Sequence, residues 1–195
     1  MRGQVEERME VATHRPLAAI ADLLEARFGI AVNYEDPQYG LDDLEGSVPR
    51  KGRLRIDLPA GKGMDGLAAA LREAVASYEA AKLPGKFHVE RAADSFAISP
   101  LGGSVLDFQP TVMFGKRPLI EHLAEILRQA GGARISVGSG PFVPPYPVEF
   151  GVTGVAAQVA VARLMGMVGS RRWSYRLLYD YKMRGYMINL QAVAA

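Results

Sequence analysis

Two stretches of this chain follow one plan. Residues 15–34 read RPLAAIADLLEARFGIAVNY and residues 117–137 read RPLIEHLAEILRQAGGARISV. In each, RPL opens a helix, a glycine closes it and a short strand leaves. Leu17, Ile20, Leu23, Leu24 and Phe28 fall at the three-and-four spacing of a single buried stripe. Pro16 suits a first helical turn, where its missing N–H costs nothing, and Gly29 sits where a left-handed helix end needs it. RPL recurs at an offset of 102 residues, and with one inserted residue Ile20, Leu23 and Leu24 match Leu123, Ile126 and Leu127. A unit used twice constrains the fold more than any single motif does.

The second helix of each unit repeats as well. DGLAAALREAVASYEAAKL begins at Asp65 and TGVAAQVAVARLMGMVG at Thr153, each with a good N-cap residue followed by glycine. RLRIDL and YPVEF precede these helices as strands. KFHVER with SFAIS, and WSYRLLY with YMINL, follow them as strand pairs, the second joined through Asp180 to Gly185. Each half therefore reads strand, helix, strand, then strand, helix, strand, strand. Gly102 and Gly103 mark the seam. In RLRIDL the apolar Leu54, Ile56 and Leu58 share one face and Arg53, Arg55 and Asp57 the other, so one sheet face is wet. The expectation is an α+β fold: two similar units, 1–100 and 101–195, each with short helices packed on small mixed β-sheets.

Composition narrows the function classes. A net charge of +2 is too slight to point to nucleic acid, and Arg50, Lys51, Arg53 and Arg55 are flanked by acids. With no cysteine, disulfides and thiolate metal sites are excluded. The N-terminal MRGQVEERMEV has no apolar core, so no signal peptide is read here. No stretch reaches the length of a membrane-spanning helix, because Gln158 and Arg163 interrupt the most apolar run.

The order of these motifs resembles the secretin and TonB short N-terminal domain. Residues 10–100 supply RPLAAIADLLEARFGIAVNYED, LRIDLPAGKGMDGLAAALREAV and FHVERAADSFAISP, while 104–190 resemble it more loosely through LIEHLAEIL, VAVARLM and WSYRLLYDYKMRGYMINL. The long loop 35–51 and the Pro-rich run 141–147 depart from the pattern. The resemblance implies an α+β module of the bacterial envelope that works by protein contact or signalling. It implies a periplasmic location with a signal peptide removed, and no catalytic residues or cofactor.

Candidate sites are few. Gly61, Gly63 and Gly66 spell G-x-G-x-x-G between a strand and a helix, with Glu90 beyond; such a turn lets a pyrophosphate approach a helix N-terminus. The alternative function is thus a dinucleotide-binding protein or oxidoreductase. Against it, Pro59 and Ala60 loosen the turn and the preceding strand alternates with charge; a glycine-rich turn before a capped helix is the better reading. His14, His88 and His122 lack metal spacing and a nucleophile pattern, and the latter two are expected on polar faces. Glu35, Asp36, Asp42, Asp43 and Glu45 lack the order of a calcium loop and read as a solvated segment. No catalytic, cofactor or metal residue is therefore assigned. The run PFVPPYP reads as a stiff connector. In the final hairpin Trp173, Tyr175 and Leu177 belong to the core, whereas Tyr179, Tyr181 and Tyr186 are expected to stay exposed and bind an envelope protein partner. Sheet edges are the other expected contact.

Overall fold

The computed structural model describes residues 5–61, 63–138, 147–168 and 172–193. The alternation of apolar and charged residues in the first unit produces a two-stranded ribbon, β1 (Val5–Thr13) antiparallel to β5 (Gly52–Pro59), with Leu54, Ile56 and Leu58 buried. Between these strands lie α1 (Pro16–Phe28), β2 (Ala31–Glu35), a 3-10 turn at Leu41–Asp43 and the small hairpin β3 (Leu44–Glu45) with β4 (Val48–Pro49). After β5 come α2 (Met64–Ala80), β6 (Phe87–Arg91) and β7 (Ser95–Pro100). β7 pairs antiparallel with β6 and parallel with β2, which makes the sheet mixed. Pro16 occupies the first turn of α1, and Gly29 closes it at φ 66° with its N–H on the Glu25 carbonyl.

The second unit repeats this connectivity. Its elements are β8 (Val112–Pro118), α3 (Leu119–Leu127), β9 (Ile135–Val137), β10 (Pro147–Val152), α4 (Ala157–Gly166), β11 (Trp173–Asp180) and β12 (Gly185–Ala192). β8 pairs antiparallel with β10, and β12 pairs antiparallel with β11 and parallel with β9. Strand for strand, this is the pairing of the first unit. The chain divides into compact units at Gly102 and Gly103. The fold is α+β, with four helices and twelve strands in several small sheets among the described residues.

Burial refines the repeat. In α1 the buried Leu17, Ile20, Ala21, Leu24, Glu25 and Phe28 stand 102 residues before the buried Leu119, His122, Leu123, Ile126, Leu127 and Ala130. No residue is inserted inside the helix, contrary to the sequence expectation. The extra residue falls after it, where Gly132 takes the left-handed conformation (φ 83°). In α2 and α4 the offset is 90: Leu67, Ala70, Leu71, Ala74, Val75 and Tyr78 correspond to Ala157, Ala160, Val161, Leu164, Met165 and Val168, all buried. The same offset relates Phe96 and Ile98 of β7 to Tyr186 and Ile188 of β12.

Both expected N-caps are displaced. Gly63 caps α2 through its backbone, and Asp65 lies inside the first turn, where a carboxylate suits the helix dipole. Ala156 caps α4, because left-handed Gly154 (φ 70°) turns the chain between Thr153 and the helix.

Candidate functional site

The glycine turn is built differently from a dinucleotide cradle. Neither Gly61 nor Gly63 has a positive φ, and a Cβ on either would meet nothing within 4 Å. Only Gly66 is crowded, since a Cβ there would stand 3.2 Å from Pro59 Cβ. The strand that feeds the turn, β5, pairs antiparallel with β1, and among the described residues no parallel strand flanks it. Glu90 is hydrogen-bonded to His88 Nε2 at 2.9 Å, and Asp65 pairs with Arg91 at 2.5 Å.

The hairpin tyrosines are mostly interior. Tyr179 is 5% exposed and Tyr186 7%. They face each other across the β11–β12 pair, with ring centroids 5.1 Å apart in an edge-to-face arrangement. This overturns the expectation that both stay exposed. The cause is register, since Tyr186 takes the place that Phe96 holds in the first unit. Tyr181, at the turn, is half-buried. Tyr175 and Leu177 are buried in the core, and half-buried Trp173 donates its indole N–H to the Val168 carbonyl at 3.3 Å.

The acidic segment is not uniformly solvated. Glu35 and Asp36 are buried, whereas Asp42 and Glu45 are exposed. Arg15 Nε donates to Asp36 Oδ2 at 2.7 Å, and Tyr34 and Tyr39 donate their hydroxyls to Oδ1 at 2.7 and 3.0 Å. Burial works against the Arg15 charge, but the Asp36 charge and hydrogen bond, aided by Tyr39 and Tyr34, outweigh it and raise the Arg15 pKa. Burial first, and then the Asp36 charge, push Tyr34, Tyr39 and Tyr78 above the ordinary phenol value. Asp36 is thus held by a protein cation, and no group of three or more metal-binding side chains occurs among the described residues. Sequence reading missed this cluster; the signal was the arginine of the repeated RPL. In the second unit Arg117 likewise meets an acid, Glu125, at 2.6 Å.

The histidines bridge strands and loops. His14 Nδ1 donates to the Pro49 carbonyl at 2.7 Å. His122, expected on a polar face, is fully buried against Phe150. Its Nε2 donates to the Val148 carbonyl at 3.2 Å and its Nδ1 faces Arg117 Nη2 at 3.3 Å, a pattern that fits the Nε2-protonated neutral ring. Most of the Pro-rich run lies outside the described residues.

A surface feature that sequence reading passed over lies on the β8–β10 ribbon. Between the pairs Phe150–Gly115 and Val152–Val112, two residues of β8 oppose one of β10. Those two, Met113 and Phe114, are 74% and 76% exposed. Gly151 permits this bulge, because a Cβ there would stand 2.6 Å from Phe114 Cα. The corresponding ribbon of the first unit presents ion pairs instead: Arg8 with Asp57 at 2.7 Å, and Arg55 and Arg53 with Glu10 at 2.8 and 3.3 Å. Arg53 and Arg55 are therefore neutralised within their own ribbon.

No protein-family model, curated protein or solved structure matches the chain.

Proposed function

We propose that this chain is a non-enzymatic protein-interaction or signalling module of the bacterial cell envelope, and that its partner binds the second unit. One observation carries the reading. Two large apolar side chains, Met113 and Phe114, project together from a bulge at a place where the first unit displays paired charges. Contiguous exposed apolar residues mark interaction sites, and aromatic and Met side chains are enriched in interface cores. Bulges also keep a ribbon from pairing edge to edge with its own kind. The envelope and the periplasm enter from the resemblance to the secretin and TonB short N-terminal domain, which the two-helix, mixed-sheet units accommodate.

The test is retention of a protein from envelope extracts by the immobilised full chain and by a Met113→Ser, Phe114→Ser variant with unchanged circular dichroism. A protein held by the parent chain and lost by the variant supports the reading. Equal retention by both removes the ribbon from the interface, and retention of soluble cytosolic proteins alone contradicts the envelope assignment.

A further inference from the structure

The end of the final hairpin combines exposed cations with a residue in a disfavoured backbone conformation. The turn from Asp180 to Gly185 has Arg184 at φ 47°, a left-handed geometry that is open to glycine and disfavoured for L side chains. A glycine stands next to it, but it serves another purpose. A Cβ at Gly185 would come within 2.6 Å of the Arg134 carbonyl oxygen, the same oxygen that accepts the Tyr186 N–H at 2.7 Å. Gly185 is thus spent on docking β12 against the chain entering β9, and an arginine occupies the left-handed position. Backbone strain of this kind gathers at functional positions.

That approach also brings Arg134 to the base of the turn. Arg134, Lys182 and Arg184 are exposed, and none has an ion pair among the described residues. The acid of the turn, Asp180, directs Oδ1 to the Met183 N–H at 3.0 Å. The second unit as a whole holds ten basic and five acidic residues, against thirteen and sixteen in the first. Beside the cations lie Met183 and Met187, 43% and 37% exposed, and half-buried Tyr181.

We propose that this tip, with Arg134, Lys182 and Arg184 around Tyr181, Met183 and Met187, docks an acidic segment of a partner protein. The proposal rests on the reading of the chain as an interaction module and names the chemistry of the partner. Guanidinium groups bind carboxylates in a planar fork, and thioether side chains adapt to varied peptide side chains. More than half of each methionine is covered, which leaves little apolar surface to insert into a bilayer, so a peptide fits better than a lipid surface.

The experiment uses the full chain, a fluorescein-labelled peptide alternating glutamate with leucine, a glutamine–leucine control and phosphatidylglycerol vesicles. The acidic peptide is expected to bind and the control to fail. Arg184→Gly is expected to raise the thermal midpoint by roughly 2–4 °C through relief of the left-handed arginine, yet to weaken the peptide about tenfold. Lys182→Ala should weaken binding without that rise. Unchanged affinity in Arg184→Gly would overturn the proposal, as would vesicle binding without peptide binding. If the acidic peptide binds no form of the chain, the tip assignment falls, while the module reading is decided separately by the Met113→Ser, Phe114→Ser variant.

Discussion

Arg15 Nε lies 2.7 Å from the fully buried Asp36 Oδ2, and this contact ties the start of α1 to the segment that leaves β2. The carboxylate also accepts the Tyr34 and Tyr39 hydroxyls, so its removal takes a partner from one cation and two buried donors. Asp36→Ala should cost about 3 kcal/mol in urea unfolding. Asp36→Asn, which still accepts hydrogen bonds, should cost less. A loss below about 1 kcal/mol for Asp36→Ala would contradict the network.

The phenols around this cluster predict a loss of stability at alkaline pH. Tyr34, Tyr39 and Tyr78 have folded-state pKa values raised by burial. A raised pKa means that the folded chain holds the proton more tightly, so their contribution is full below about pH 10 and falls as pH rises beyond it. Tyrosinate absorbance should therefore appear for these residues together with unfolding. Smooth titration at the ordinary phenol value in a folded chain would refute their burial.

Tyr186 stands where the repeat places Phe96, so its ring fills a core position. Tyr186→Phe, which keeps the ring, should cost clearly less than Tyr186→Ala, which should lose about 3 kcal/mol through the cavity it leaves. A folded and stable Tyr186→Ala chain would return this tyrosine to the surface.

The glycines separate by their surroundings. Gly61→Ala and Gly63→Ala should alter stability by less than about 1 kcal/mol, since each has room for a Cβ and a negative φ. Gly151→Ala should cost more, because its Cβ collides with the Phe114 backbone. Calorimetry with NAD is expected to show no binding. Micromolar binding abolished by Gly63→Asp would establish the dinucleotide alternative.

The helices and their order were legible because apolar periodicity survives wherever a stripe must be buried, as at Leu17, Ile20 and Leu24 and at Leu119, Leu123 and Ile126. Helix starts were less legible, since a cap is settled by backbone geometry such as the left-handed Gly154 rather than by the nearest Asp or Thr. The hairpin taken alone leaves Tyr179 and Tyr186 beside an exposed turn, and only the repeat assigns Tyr186 to the interior. The correspondence of Tyr186 with Phe96 was already contained in the repeat. Long-range pairs such as Arg15 with Asp36 leave no periodic trace, and neither does a bulge that depends on Gly151 across the ribbon.

The second unit as the binding surface is tested most directly by photo-crosslinking in cells, with a benzoylphenylalanine placed at position 114 of one chain and at position 55 of another. Phe114 sits on the exposed bulge and Arg55 on the ion-paired ribbon of the first unit. The prediction is a discrete protein adduct from position 114 and none from position 55. Equal adducts from both positions, or lipid adducts alone from position 114, would contradict it.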